Sequence, residues 1–156
     1  MKRQKITVGS ILQIPIKDYY CYAQILGKAN YAFFDYKSST PLTSFEILSN
    51  VNILFVISVY DDIITSGLWE KVGKSPIRES LRILPNKYIY HKNEIPEYEL
   101  YNTETGEITP SSADEVKGLE CCAVWDSNHV IDRIKSHYMG KPCIWLGEEN
   151  SNNEVD

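Results

Sequence analysis

The feature that most constrains the fold of this chain is a series of three β-type runs near its start. The runs are residues 9–16, 19–26 and 31–36, and they are rich in aromatic and β-branched side chains. The connections between them, Lys17-Asp18 and residues 27–30, have the length and composition of hairpin turns. This spacing predicts an antiparallel meander and favours a mostly β protein.

The first of these runs contains a proline. Leu12, Ile14 and Ile16 share one face of an extended strand, and Pro15 lies between the last two. Because proline cannot donate a hydrogen bond to a ladder, the strand is predicted to lie at a sheet edge or to end at Pro15.

Further β-type segments follow the meander. Residues 53–60 are nearly all apolar, which predicts a central strand covered on both faces. Asp61-Asp62 then favours the start of a short helical turn reaching Gly67. Two more short strands are predicted at residues 68–72 and 87–91.

A hairpin is predicted over residues 98–109. Residues 98–102 and 107–109 flank a four-residue turn that ends in Gly106, a residue able to adopt positive φ. We therefore expect two short antiparallel strands here.

One segment, residues 127–139, has the pattern of an α-helix. Asp126 or Ser127 can cap its start, Gly140 suits the position after its end, and Pro142 prevents continuation. Its apolar stripe at helical spacing is formed by Val130, Ile131, Ile134 and Tyr138. We expect this stripe to pack on the sheet.

These elements predict an α+β, mostly β fold. It is expected to be a twisted antiparallel sheet or a partly open barrel, with one C-terminal helix (about 127–139) packed on it. Residues 1–147 are expected to form one domain, and the polar residues 148–156 a disordered tail. The patterns leave open whether the sheet closes and what the oligomeric state is.

The sequence shows no membrane or export signal. The longest apolar run, residues 53–59, is far shorter than the roughly 20 residues of a spanning helix. Lys2, Arg3 and Lys5 precede an apolar stretch, but no small-residue cleavage site follows it. We therefore expect a cytoplasmic protein without a membrane segment.

The number and spacing of the cysteines agree with a cytoplasmic protein. No C-x₂-C ligand pair occurs among Cys21, Cys121, Cys122 and Cys143, so no zinc site is expected. Disulfides are not expected either, because adjacent cysteines rarely bridge to each other and a reducing cytosol disfavours the bond. All four are predicted to be small buried hydrophobes.

Charge is distributed unevenly along the chain. Residues 1–91 contain eleven Lys or Arg and seven Asp or Glu, a formal +4, whereas residues 92–156 carry five and fourteen, a formal −9. Such an acidic excess keeps a small protein in solution, or it forms a face that steers a basic partner. The net acidity also argues against a dedicated nucleic-acid binder, which usually has a basic excess.

No catalytic apparatus or cofactor motif is visible. G-x-G-x-x-G, P-loop and G-x-S-x-G patterns are missing from the sequence. His129 and His137 are eight positions apart on the predicted helix, and His137 is expected to be a partly buried structural residue. We expect no enzyme, metal or cofactor, although a metal-dependent enzyme using His129, Asp132 or Asp61 stays a minor alternative.

Three tryptophans lie near charged or polar residues. Trp69, Trp125 and Trp145 are candidates for partner contact, with rings packed in the core as the favoured interpretation.

The chain resembles a known family. Residues 9–16, 22–27 and 32–35, the hydrophobic strand before Asp61, and Ser66-Gly67-Leu68-Trp69 are similar to the immunity protein 26 family. The resemblance covers roughly residues 6–140. It implies a mostly β protein, encoded beside a toxin of a bacterial polymorphic toxin system, often a nuclease. Such a protein binds and neutralises its cognate toxin inside the producing cell.

The leading hypothesis joins this resemblance to the acidic segment. A toxin inhibitor would engage a basic toxin domain through the C-terminal part of the chain. The candidate contact residues are Glu94, Glu97, Glu99, Tyr101, Glu104 and Glu107. The alternative is a nucleic-acid-binding module that uses Lys2, Arg3, Lys5, Lys71, Lys74, Arg78, Arg82 and Lys87. The identity and activity of the toxin, and the face that binds it, stay open.

Overall fold

The computed structural model describes residues 2–146, and the predicted tail at 148–156 with its boundary at 147 lies outside these residues. In chain order the strands are β1 (Ser10–Ile16), β2 (Tyr19–Ile25), β3 (Tyr31–Ser38), β4 (Ile53–Val59), β5 (Glu70–Lys74), β6 (Lys87–Tyr90), β7 (Tyr98–Tyr101), β8 (Ile108–Ser111), β9 (Glu120–Cys121) and β10 (Val124–Trp125). The α-helices are α1 (Asp61–Thr65) and α2 (Ser127–Met139), and short 3-10 helices span Glu46–Ser49 and Glu79–Leu81. No helix within residues 2–146 is long and apolar enough to cross a membrane.

The larger sheet has six strands in the order β10-β4-β3-β2-β1-β5. Its pairs are antiparallel except for the parallel pair of β4 and β10. The predicted meander is therefore confirmed as β1–β3. The predicted helical turn after residue 60 is confirmed as α1.

Two details of this sheet differ from expectation. β4 lies between two strands and is covered on both faces, as predicted, but it is near one edge of the sheet because its outer neighbour is only the two-residue β10. β1 lies inside the sheet, but β5 pairs only with Ser10 to Gln13. Pro15 therefore lies beyond the end of β5, and β1 ends one residue later, at Ile16. The missing N–H of proline is tolerated where the ladder on that side has stopped.

The smaller sheet has four strands in the order β8-β7-β6-β9. β7 and β8 form the predicted hairpin, with Gly106 at φ +80° in its turn. β9 joins β6 in parallel, and the loop between β6 and β7 contains a cis peptide bond at Ile95-Pro96. The mostly β fold class with one C-terminal helix is confirmed, and within residues 2–146 neither sheet closes into a barrel.

The main core lies between the larger sheet and the helices. Val130 and Ile134 of α2 are buried there, as the predicted apolar stripe requires. Trp69 is 1% exposed and meets Phe33 edge to face at 5.7 Å between ring centroids, so this tryptophan belongs to the core. Gly140 ends α2 in the left-handed conformation, as predicted.

The opposite face of the larger sheet is covered by two loop segments. One follows β3 and contributes Leu48, and the other precedes β6 and contributes Leu81 and Leu84. Both faces of the sheet are thus buried.

Several contacts fix the smaller sheet against the larger one. The chain passes directly from β9 in one sheet to β10 in the other. Lys87 Nζ donates to Ser58 Oγ at 3.2 Å, and Thr103 Oγ1 donates to the carbonyl of Pro85 at 2.7 Å. The Arg133 guanidinium on α2 binds the Glu120 carboxylate through two bonds, at 2.8 and 2.7 Å.

The predicted burial of the cysteines is wrong for three of the four. None of the four forms a disulfide, and only Cys21 is fully buried, whereas Cys121 and Cys143 are half-buried and Cys122 is exposed. Neighbouring side chains in extended backbone point to opposite sides, so Cys121 and Cys122 cannot both face inward.

The predicted partial burial of His137 is also wrong. Its side chain is 45% exposed, and Nε2 lies 3.3 Å from the Asp35 carboxylate on β3. The ring lies at the edge of the apolar stripe, beside the partly exposed Asp35.

Candidate partner-binding surface

The six predicted contact residues all lie on the smaller sheet, at the two ends of β7. Glu94 and Glu97 are in the loop before β7, and Glu99 and Tyr101 are on the strand itself. Glu104 and Glu107 are in the hairpin after it. A four-residue strand is about 13 Å long, so the carboxylates form two groups rather than one cluster. We call Glu94, Glu97 and Glu99 the loop group, and Glu104 and Glu107 the hairpin group.

His91 organises the loop group. Its Nε2 lies 2.6 Å from the Glu99 carboxylate, and its Nδ1 lies 3.6 Å from that of Glu94. Glu99 is 26% exposed, whereas the Glu94 side chain is 70% exposed and Glu97 is also exposed. The carboxylates of Glu94 and Glu97 are therefore accessible to a partner, and that of Glu99 is already held by the imidazole.

The two members of the hairpin group differ. The Glu104 carboxylate accepts the Leu84 N–H at 2.7 Å and the Lys28 ammonium at 3.1 Å. The bond from the Leu84 N–H, together with the Lys28 bond and charge, lowers the pKa of Glu104 below its ordinary value. Glu104 thus connects the hairpin to two loops of the larger sheet. Glu107 is exposed, and Tyr101 is half-buried.

A cleft lies beside the smaller sheet, between α2 and residues 118–125. Its volume is about 560 Å³, and its lining includes Glu120, Trp125, His129, Arg133 and Trp145. The lining combines aliphatic and aromatic side chains with the Arg133–Glu120 pair, in which two guanidinium N–H groups donate to the carboxylate. The cleft therefore offers both apolar and polar surface.

The tryptophans at this cleft have different environments. Trp125 is half-buried, and the Arg133 guanidinium lies 5.2 Å from its ring. Trp145 is 43% exposed, stacks on His129 at 3.8 Å between centroids, and donates Nε1–H to the Asp132 carboxylate at 2.8 Å. Of the three candidates, Trp145 is the most exposed.

The basic residues of the nucleic-acid-binding alternative fall into two groups in the structure, those engaged within the fold and those exposed. Lys87 is 4% exposed, and burial lowers its pKa. Arg78 donates to the carbonyls of Leu48 and Val51, and Lys71 Nζ donates to Thr7 Oγ1. The charged groups of these three residues are therefore bonded within the fold. The remaining members are exposed, namely Lys2, Arg3, Lys5, Lys74 and Arg82.

The residues of the enzyme alternative are not brought together as a site. His129 and Asp132 both contact Trp145, and Asp61 begins α1. Within residues 2–146, no group of three or more His, Cys, Asp or Glu side chains is placed to hold a metal ion.

One exposed residue in the loop between β6 and β7 was missed from the sequence. Ile95, between Glu94 and Pro96, is 100% exposed. A lone aliphatic residue in a charged loop was the available signal, but sequence patterns do not separate such a residue from one that folds back into the core.

Comparison with known proteins gives one match. The family model described as immunity protein 26 matches residues 7–95, more than half of the 156-residue chain. A search of curated proteins and a search of solved structures each found no significant match. The matched part spans β1 to β6 and the start of the following loop, and it ends before the residue-140 limit expected from the sequence. The chain belongs to the immunity protein 26 family.

Proposed function

We propose that this immunity protein neutralises a cognate toxin inside the producing cell by binding it directly, without catalysis. The exposed carboxylates at the ends of β7 meet a basic surface on the toxin. The observation that carries the proposal is the accessibility of Glu94, at 70% exposure, together with Glu97 and Glu107 on the same small sheet.

The chemistry of a nuclease toxin would suit such a surface. A protein that binds nucleic acid presents Lys and Arg side chains to phosphates. Carboxylates of an inhibitor can pair with the same Lys and Arg side chains. Complementary charge raises the association rate and fixes the orientation of the complex, and salt weakens both effects. A standard interface buries about 800 Å² on each partner, which one face of a domain of this size can supply.

The proposal is tested by charge reversal in the loop group. The variant Glu94→Lys/Glu97→Lys should associate at least about tenfold more slowly with the catalytically inactivated toxin domain encoded by the neighbouring gene. Its association rate should also depend less on salt. Stopped-flow association at two ionic strengths measures both effects.

A matched control uses two exposed carboxylates on the larger-sheet side. Glu46→Lys/Glu79→Lys makes the same change in net charge, but in the two 3-10 helices. It should slow association much less. Equal slowing by both variants would show that only net charge matters, and the loop group would lose its role. If the unmodified protein does not bind the toxin domain, toxin neutralisation by direct contact is wrong.

A basic edge keeps nucleic-acid binding as a second candidate. Lys2, Arg3 and Lys5 flank Gln4, whose side chain bonds the backbone of Trp69 and Lys71 at β5, and Lys74 ends that strand. Lysines at a sheet edge also prevent strand pairing between molecules, which is their simpler role. A gel-retardation assay at low and moderate salt separates the two, because a nucleic-acid binder must retard at low salt.

A further inference from the structure

The tip of the loop between β6 and β7 presents a fully exposed aliphatic side chain. Ile95 is 100% exposed, although isoleucine is among the residues most often buried. Single exposed aliphatic residues are common, so exposure alone does not indicate a contact. What distinguishes Ile95 is the loop that holds it and the charges beside it.

The loop is closed and held by several bonds. The His91 N–H donates to the carbonyl of Glu97 at 2.7 Å, and the Glu94 N–H donates to the carbonyl of His91 at 3.1 Å. The imidazole of His91 also binds the Glu99 carboxylate at 2.6 Å. These bonds anchor the base of the loop to β7. A tip presented in this way loses little conformational entropy when a partner binds it.

Glutamates flank Ile95 in the sequence. Glu94 directly precedes it and Glu97 is two residues after it, and both are exposed on the same short loop. An apolar centre with a charged rim is the usual arrangement of an interface hot spot. Ile83, which is 76% exposed, has Arg82 and the buried Leu84 as sequence neighbours and no Asp or Glu within two positions.

We infer that Ile95 is the apolar anchor of the toxin interface and inserts into an apolar pocket of the toxin whose rim carries Lys or Arg. The inference rests on the proposed binding of a toxin, and it names the contact that sets the lifetime of the complex. The carboxylates of Glu94 and Glu97 then act mainly on the rate of encounter, and Ile95 acts mainly on dissociation.

The test compares two single substitutions of exposed isoleucines. With the inactivated toxin domain of the neighbouring gene, Ile95→Ala should dissociate at least about tenfold faster than the unmodified protein, with an association rate changed less than about twofold. Ile83→Ala should match the unmodified protein in both rates. Hydrogen exchange should also show slower exchange of residues 91–97 in the complex.

The outcomes separate this inference from the proposed function. If the unmodified protein binds and Ile95→Ala dissociates at the same rate, the anchor role is wrong and toxin binding stands. If the unmodified protein does not bind, both are wrong. A lower melting temperature of free Ile95→Ala would show that Ile95 packs within the free protein, which contradicts the premise.

Discussion

Glu104 illustrates how a residue predicted as surface charge is used within the fold. Its carboxylate accepts the Leu84 N–H and the Lys28 ammonium, and these loops belong to the larger sheet. The sequence placed Glu104 among partner contacts because it lies in an acidic run. Its actual partners are 20 and 76 positions away, and no local pattern indicates them.

A pH-dependent stability is expected from Glu104. Its pKa is lowered in the folded state from an ordinary 4.5, so its stabilisation is present above that value and is lost as pH falls through the lowered pKa. Glu104→Gln should therefore be less stable than the unmodified protein at pH 7 and equally stable at strongly acidic pH. Urea unfolding at several pH values measures the difference.

Glu107→Gln is the matched control for Glu104. It removes an exposed carboxylate from the same hairpin and should leave stability nearly unchanged at every pH. If the stability difference of Glu104→Gln is the same at acidic and neutral pH, the carboxylate does not act through its charge.

At the scale of elements, the N-terminal segment takes the place of a neighbouring strand at the β5 edge. Gln4 Nε2 donates to the carbonyl of Trp69 at 2.6 Å, and its Oε1 accepts the Lys71 N–H at 3.1 Å. The Gln4 N–H itself donates to the carbonyl of Thr65 at 3.0 Å. A side-chain amide offers the same donor and acceptor as a peptide group, so it satisfies backbone groups that the edge would otherwise expose.

Removal of this amide should destabilise the fold. Gln4→Ala is expected to lower the free energy of unfolding by about 1–2 kcal/mol, because two backbone groups lose their partners. Lys5→Ala, at an exposed neighbouring position, should have little effect. Urea denaturation checks both, and equal stability of the two variants would show that water replaces the amide without cost. Toxin binding should be unaffected in either variant.

At the scale of the whole molecule, the family-matched part is not a complete core. Residues 7–95 contain β1 to β6, but β6 pairs with β7 and β9, which follow that part. The helix face of the larger sheet is covered by Val130 and Ile134 of α2. The chain after residue 95 therefore completes both sheets and the main core.

A fragment of residues 1–95 should consequently fail to fold cooperatively. It would leave the apolar face beneath α2 in water and β6 without its partners. Circular dichroism with urea titration should show no sigmoidal transition for the fragment. The full chain should show one under the same conditions, and a cooperative transition of the 1–95 fragment would contradict this account.

Local patterns were sufficient for several elements. The meander of β1–β3 follows from short turns between apolar runs. Asp126 and Gly140 stand at the two ends of α2 as predicted, although the Asp126 side chain makes no capping hydrogen bond. Interactions between residues close in sequence determine such features, because turns and helix ends form among neighbours. The sequence by itself thus determined the mostly β class, the C-terminal helix and its buried stripe.

Only the tertiary structure decided how these elements combine. The parallel pairing of β10 with β4 and of β9 with β6, the exposure of Cys122 and His137, and the partners of Glu104 all depend on segments distant in sequence. The same holds for Ile95, whose full exposure results from a loop closed by His91 and Glu97. Long-range pairing and burial are properties of the packed molecule, since a side chain's neighbours are set by the whole core rather than by adjacent residues.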